Sequence, residues 1–525
     1  MKLYPLLLLV SCSSYDLAGT DSDSADSWNE ADTDADTDTD TDTDTDSDTD
    51  TDTFDDGYDP EEELAYIKLE PVVVGDHVFI ANPDRATLTR VSIDGLGVIT
   101  EPIGPGPSIM VGAEDQGQVV ILDTIVDEVR LVDTVSMEQR TISVRPNLNQ
   151  LSLSHNGRWA INYHSSAVPA EPDDSGSWSY SEVSVVDVET GGHWPLSVGF
   201  EPASLTFSDD SSTAVLVNDS WLIHIDLSGD KPYTQRIQIA NTVSPPAAEE
   251  VLLTPGGRYA IIRQFATSHL LLVDLSDGST AELDVGDNPT DLDVTTDGEK
   301  AIAVARGSGE LWVYTLADPT AEPTVYTLPD DTVIGGIAMS ADGSAALLYS
   351  TASGRSEFVS WTIDGDDPKA QPFQIHGTVK PIEAVHLSPQ GGTALLVHSA
   401  DDPADIDPDS PYRRAPAITM VDLTDFFANP IRLSAAPEGF SFTEDDQWAF
   451  FFQENQPYLE IADLDRLLLD EQTLLSNPAH IGVFPDSTTA YASQAHALGR
   501  ISFFDASTGA FQTITGFELN SEIEQ

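Results

Sequence analysis

"NPTDLDVTTDGEKAIAVARG" occupies residues 288–307 and is followed by "LWVYTLADP" at 311–319. After Pro289, apolar Leu292 and Val294 alternate with polar neighbours, the period of a half-buried strand. "AIAVA" (301–305) is a short apolar run bounded by turn residues, which reads as the hairpin partner of that strand. Asp297-Gly298 between them suits a two-residue hairpin turn, because both residue types tolerate positive φ. "LWVYTL" supplies a third strand and "PTVYTLP" (323–329) a fourth, so four short strands follow one another within roughly 40 residues.

The same unit recurs along the chain. "EPASLTFSDDSSTAVLVND" (201–219), "PIEAVHLSPQGGTALLVHS" (381–399) and "NPAHIGVFPDSTTAYASQ" (477–494) repeat its first half, and Asn156-Gly157 and Asp342-Gly343 repeat its turn. Its third strand has the form apolar-x-apolar-apolar-Asp-apolar, as in "VRLVDTV" (129–135), "LLLVDLSDG" (270–278), "ITMVDLTDF" (418–426) and "ISFFDASTG" (501–509). Registered on the Asp position, copies fall at 92, 133, 187, 226, 274, 315, 362, 422, 463 and 505. Four strands per module, repeated, predict an all-β protein: a β-propeller of four-stranded blades, with ten modules countable over residues 64–525. Asp133, Asp187, Asp226, Asp274, Asp422, Asp463 and Asp505 read as caps of turns at strand ends, not as chemistry.

"VFIANPDRATLTRVSIDG" (78–95) resembles the repeat of YVTN-type surface propellers, within a wider set of lactonase-like and quinoprotein-like propellers. Such propellers usually have seven blades, so the resemblance brackets the expectation at seven to ten.

The charge is lopsided. The chain has 90 acidic and 22 basic residues and a formal charge of −68. Residues 13–63 hold 22 of the acids and no Lys or Arg, including the alternating "DTDTDTDTDTDSDTDTDT" from Asp36 to Thr53. A segment with so few large apolar groups cannot offset its chain entropy, so a disordered, self-repelling tether of ~40 Å or more is expected. The remaining −47 on residues 64–525 argues against nucleic acid and anionic lipid as partners, since phosphate binding requires Lys and Arg.

The chain opens "MKLYPLLLLVSCSS", whose apolar stretch is far shorter than the ~20 residues needed to span a bilayer. It resembles the signal peptide of bacterial lipoproteins. The resemblance implies residues 1–11 as the signal, Cys12 as the lipidated residue, and 12–63 as lipidated cysteine plus tether. It also implies membrane attachment through the lipid and an outer-membrane location at the cell envelope. Cys12 is the single cysteine, so the body, expected to be a monomer, is held together without disulfides.

Site candidates are few. Asp52, Asp56 and Glu63 fall near calcium-loop spacing, but Phe54 replaces one chelating residue. Two modules carry insertions before their third strand. The first (164–182) contains Trp178 and Tyr180, residue types that stack on or contact a partner. The second (398–417) packs Asp405, Asp407 and Asp409 beside Arg413 and Arg414, which suits Ca²⁺ or a charged partner. No nucleophile elbow, His-Glu-x-x-His motif, Cys pair or phosphate loop occurs, and the eleven histidines are scattered. The sequence therefore points to a non-catalytic binding or scaffolding module for a protein or glycan. The alternatives are a Ca²⁺-dependent lactonase-like hydrolase and a purely structural surface protein.

Overall fold

The structure, a computed structural model, describes residues 69–517 other than 94–96, 167–180, 241–244, 265–266, 296–297, 341–342, 352–353, 363–372 and 405. Forty strands form ten separate four-stranded antiparallel sheets, each drawn from one continuous stretch of chain. The blades cover residues 72–102, 107–143, 150–197, 204–238, 248–284, 289–327, 336–377, 384–432, 437–473 and 478–515, and are numbered 1 to 10 in that order. The module count of ten is the blade count.

In blade 6 the strands are Pro289–Val294, Lys300–Ala305, Glu310–Thr315 and Thr324–Thr327. All ten third strands end on the residue that the Asp register marks, from Ser92 through Asp505. At the seven positions occupied by aspartate the carboxylate caps the following turn. Asp133 accepts the Ser136 amide at 2.7 Å, Asp274 that of Ser276 at 2.9 Å, and Asp422 that of Thr424 at 2.7 Å. Hydroxyl and amide donors hold Asp133, Asp226 and Asp274 below the usual carboxylate range; Asp505 is held at about 2 against its burial by Thr508, Ser507 and Thr488.

The first hairpin departs from the two-residue expectation. In blade 3, Ser154 pairs with Trp159, the loop spans 155–158, and only Gly157, not Asn156, has positive φ (68°). The physical reason is the preceding hydroxyl. Ser154 Oγ accepts the Trp159 amide at 2.9 Å, a brace that stabilises the wider loop. Thr254, Ser340, Ser388 and Thr443 repeat it in their own blades, at 3.0 to 3.1 Å. Asp297 and Asp342 lie outside the described residues.

Second strands are buried almost throughout and third strands for the most part, whereas fourth strands face solvent. Side chains alternate across each sheet, so one strand feeds two cores. Ile302 and Val304 pack against blade 7, while Ala301 and Ala303 pack against blade 5. The ring closes where blade 10 meets blade 1. Phe484, Tyr491 and Phe503 pack on Val78, Ile80 and Val91, and Tyr491 Oη donates to Pro71 O at 2.8 Å. Among the described residues no strand is exchanged at this seam.

Candidate functional site

First strands of neighbouring blades approach one another and line the centre of the ring. In blades 5 and 6 they begin with β-bulges, between Ala248 and Glu250 and between Pro289 and Asp291. Bulges re-aim side chains, and here the side chains are acidic. Arg263, on the adjoining strand, donates from Nε to Glu250 at 2.9 Å, from Nη1 to Glu249, and to Pro289 O across the blade boundary at 3.4 Å. Asp291 accepts the Leu292 amide at 3.0 Å and, from blade 7, the Ile337 amide at 2.7 Å. Asp293 accepts the Val294 amide at 2.7 Å.

The Arg263 guanidinium bonds two carboxyl groups, Glu249 and Glu250, and its charge also reaches Asp291. Burial, then the charge of Asp291, pushes Glu250 up to about 8 against the pull of Arg263. The same two causes push Asp293 up to about 7, and burial raises Asp291 despite its amide bonds. Tyr349 is raised by burial and then by these three acids. Burial and mutual repulsion thus favour proton retention in this group, while Arg263 opposes it at Glu250. Among the described residues no set of three or more His, Cys, Asp or Glu side chains is arranged to hold a metal. Sequence reasoning missed this cluster, because Asp291 and Asp293 stand at the polar positions of an alternating strand and look ordinary there; paired acids on two successive first strands ("EEV", "DLDV") were the one local signal.

The insertion before the third strand of blade 8 projects on the face that carries the inter-blade linkers. Asp407, Asp409, Arg413 and Arg414 are all exposed on it. Asp407 Oδ1 accepts the Asp409 amide at 2.9 Å, closing a turn within the loop. Arg413 Nε lies 3.7 Å from Asp402 Oδ2, and the Arg414 amide donates to Asp402 Oδ1 at 2.7 Å. That amide, with Lys380 beside it, holds the Asp402 carboxyl below the usual range. Tyr412 Oη donates to Pro430 O at 3.1 Å, folding the loop back on the fourth strand. Asp405 lies outside the described residues.

In blade 3 the insertion falls between the same two strands of the module, and residues 167–180 of it lie outside the described residues. Its start is tied down by Glu201, which accepts the Ser166 amide at 2.6 Å and lies 3.2 Å from His164 Nδ1. Trp178 and Tyr180 lie outside the described residues, as do Cys12, Asp52, Asp56 and Glu63.

No family model matches the chain, and no curated protein matches it. Among solved structures it is similar to hydrazine synthase of Kuenenia stuttgartiensis (16% identity, 60% of this chain and 95% of that one, TM-score 0.36). It is also similar to the dihydro-heme d1 dehydrogenase NirN in complex with DHE (14%, 71% and 76%, TM-score 0.43). A third is the β-propeller domain of Cps50 (Swd1) from Myceliophteria thermophila (13%, 71% and 98%, TM-score 0.35). These likenesses are of fold alone.

Proposed function

We propose that the chain is a cell-envelope binding module: a propeller anchored through Cys12, carried on the acidic segment, and recruiting a protein or glycan through its blade 8 loop. The observation that carries this reading is the order of that loop. It presents Arg413, Arg414, Asp407 and Asp409 to solvent while its base is bonded into the blade. A surface held in one shape loses little conformational entropy on binding, which is what a recruitment site requires. The anchor is supported by the Leu9-Val10-Ser11-Cys12 sequence.

A second reading, a hydrolase of the lactonase-like kind, is favoured by the carboxyl cluster of Glu250, Asp291 and Asp293. Perturbed acids of this sort concentrate at functional sites. On this reading the carboxyl groups would move protons during ring opening.

One experiment separates the two. The full chain and an Arg413→Ser/Arg414→Ser variant are used to capture partners from the envelope fraction, with and without Ca²⁺. The binding reading expects a species retained by the natural chain and lost at least ~10-fold by the variant. Equal retention by both overturns it. Lactone opening by the natural chain, abolished in Glu250→Gln/Asp293→Asn, would move the conclusion to the hydrolase.

A further inference from the structure

We propose that Lys380 is a buried latch that sets the shape of the blade 8 loop, so that the loop meets its partner already formed; the inference rests on the reading of this loop as the binding element. Lys380 belongs to the linker entering blade 8 and is 0% exposed. Its Nζ donates at 3.0 Å to the carbonyl oxygens of Ser399, Ala400 and Ala415, and lies 3.0 Å from Asp402 Oδ1. Ser399 and Ala400 open the loop and Ala415 closes it. A single ammonium group therefore joins both ends.

An ammonium group is tolerated in such a place only when it is paired and fully hydrogen-bonded, and four acceptors meet its three N–H groups. The dependence is mutual. Every group around Nζ is an acceptor, so removing the cation takes from three carbonyls the donor they share and leaves Asp402 with the Arg414 amide and Arg413 alone. Asp402 transmits the latch outward through the Arg414 amide and Arg413 Nε. Beyond it the loop contains single-turn bonds, Ile406 to Pro403, Ser410 to Asp407 and Arg413 to Ser410. One-turn bonds do not repay the entropy of ordering a loop of this length, so its order depends on its base and on the Tyr412 bond to Pro430.

The test is proteolysis, because Arg413 and Arg414 place trypsin sites on the exposed part of the loop. The full chain, Lys380→Met and Asp402→Asn are digested, and cleavage after Arg413 and Arg414 is followed by fragment mass. The natural loop is expected to resist; cleavage should accelerate at least ~30-fold in Lys380→Met and less in Asp402→Asn, with the ring's thermal midpoint moved by a few degrees only. Cleavage of the natural loop as fast as that of an unfolded peptide, or no acceleration in Lys380→Met, overturns the proposal. Loss of the folded ring in both variants also overturns it, since Lys380 would then serve the blade core. If the loop loosens while partner capture is unchanged, the latch stands and the reading of the loop as the binding element fails.

Discussion

Glu460 is 2% exposed and lies in the third strand of blade 9, directly across from Glu471 on the fourth. It accepts a hydrogen bond from Gln453 Nε2, and Gln453 in turn holds the linker by accepting the Ser434 and Ala435 amides at 2.8 Å each. Burial first, then the charge of Glu471, pushes Glu460 up to about 7 from 4.5, against the Gln453 bond. The sign follows from linkage. Below pH 4.5 the group is protonated in both folded and unfolded chains. Between 4.5 and 7 only the unfolded chain releases the proton, so stability falls as pH rises, by roughly 3 kcal/mol at most. Glu460→Gln keeps the acceptor for Gln453 and has no charge to bury. It is expected to stabilise the protein by about 1–3 kcal/mol at pH 8 and to change little at pH 4.5, measured as urea midpoints.

At the scale of the element, the loops between first and second strands link blade to blade. Ser211, with φ 59°, accepts the Asn156 amide of blade 3 at 3.0 Å. Asp446, with φ 56°, accepts from Ser388 Oγ at 2.6 Å, the Gln390 amide at 2.8 Å and the Gly392 amide at 2.9 Å, all on blade 8. Glycine occupies this left-handed position in blades 3, 5, 6, 7 and 8, so where it is replaced the side chain offsets the backbone strain by bonding a neighbour. Asp446→Ala keeps the strain and loses three bonds. A cost of about 2–3 kcal/mol in the unfolding free energy is expected. Asp446→Asn should recover part of it, because Asn tolerates the left-handed region and keeps one carbonyl acceptor.

Over the whole molecule the core is a circle of slabs between blades, not a single mass, and the last slab closes the ring without a shared strand. Scarce cations reinforce the joints. Arg90 of blade 1 donates to Thr134 O and Val135 O of blade 2 at 2.7 and 2.6 Å, and Arg140 of blade 2 to Thr190 O of blade 3 at 2.9 Å. The remaining charge is unbalanced, and two sets of carboxyl groups pull stability in opposite directions. Glu250, Asp293 and Glu460, raised to about 8, 7 and 7, destabilise the fold as pH rises from about 4 to 8. The capping aspartates, with Asp505 at about 2 and Asp133, Asp226 and Asp274 also lowered, stabilise it above about pH 4, and that contribution is lost as pH falls further. Urea midpoints measured across pH are therefore expected to peak near pH 5. Added salt should raise them more at pH 8 than at pH 5, because it screens the repulsion of a net negative body. A midpoint that climbs steadily to pH 8 would contradict this account.

Strand period, turn residues and the Asp register are properties of near neighbours in the chain, and they sufficed to mark ten four-stranded modules and the end of every third strand; how many of the ten are blades of one ring they bracketed only between seven and ten. The blade 8 insertion was legible for the same reason: it interrupts a local period. Loop width was misjudged because Ser154 acts from outside the Asn-Gly pair that suggested a tight turn. Glu250, Asp291 and Asp293 come from two blades, and nothing local brings them to one point. Lys380 lies 22 residues ahead of Asp402, in a linker with no pattern of its own, and its burial depends on a blade wrapping around it. Architecture was written in the spacing of residues along the chain. The site chemistry was decided by tertiary structure, because burial and charge convergence arise only when distant strands close the ring.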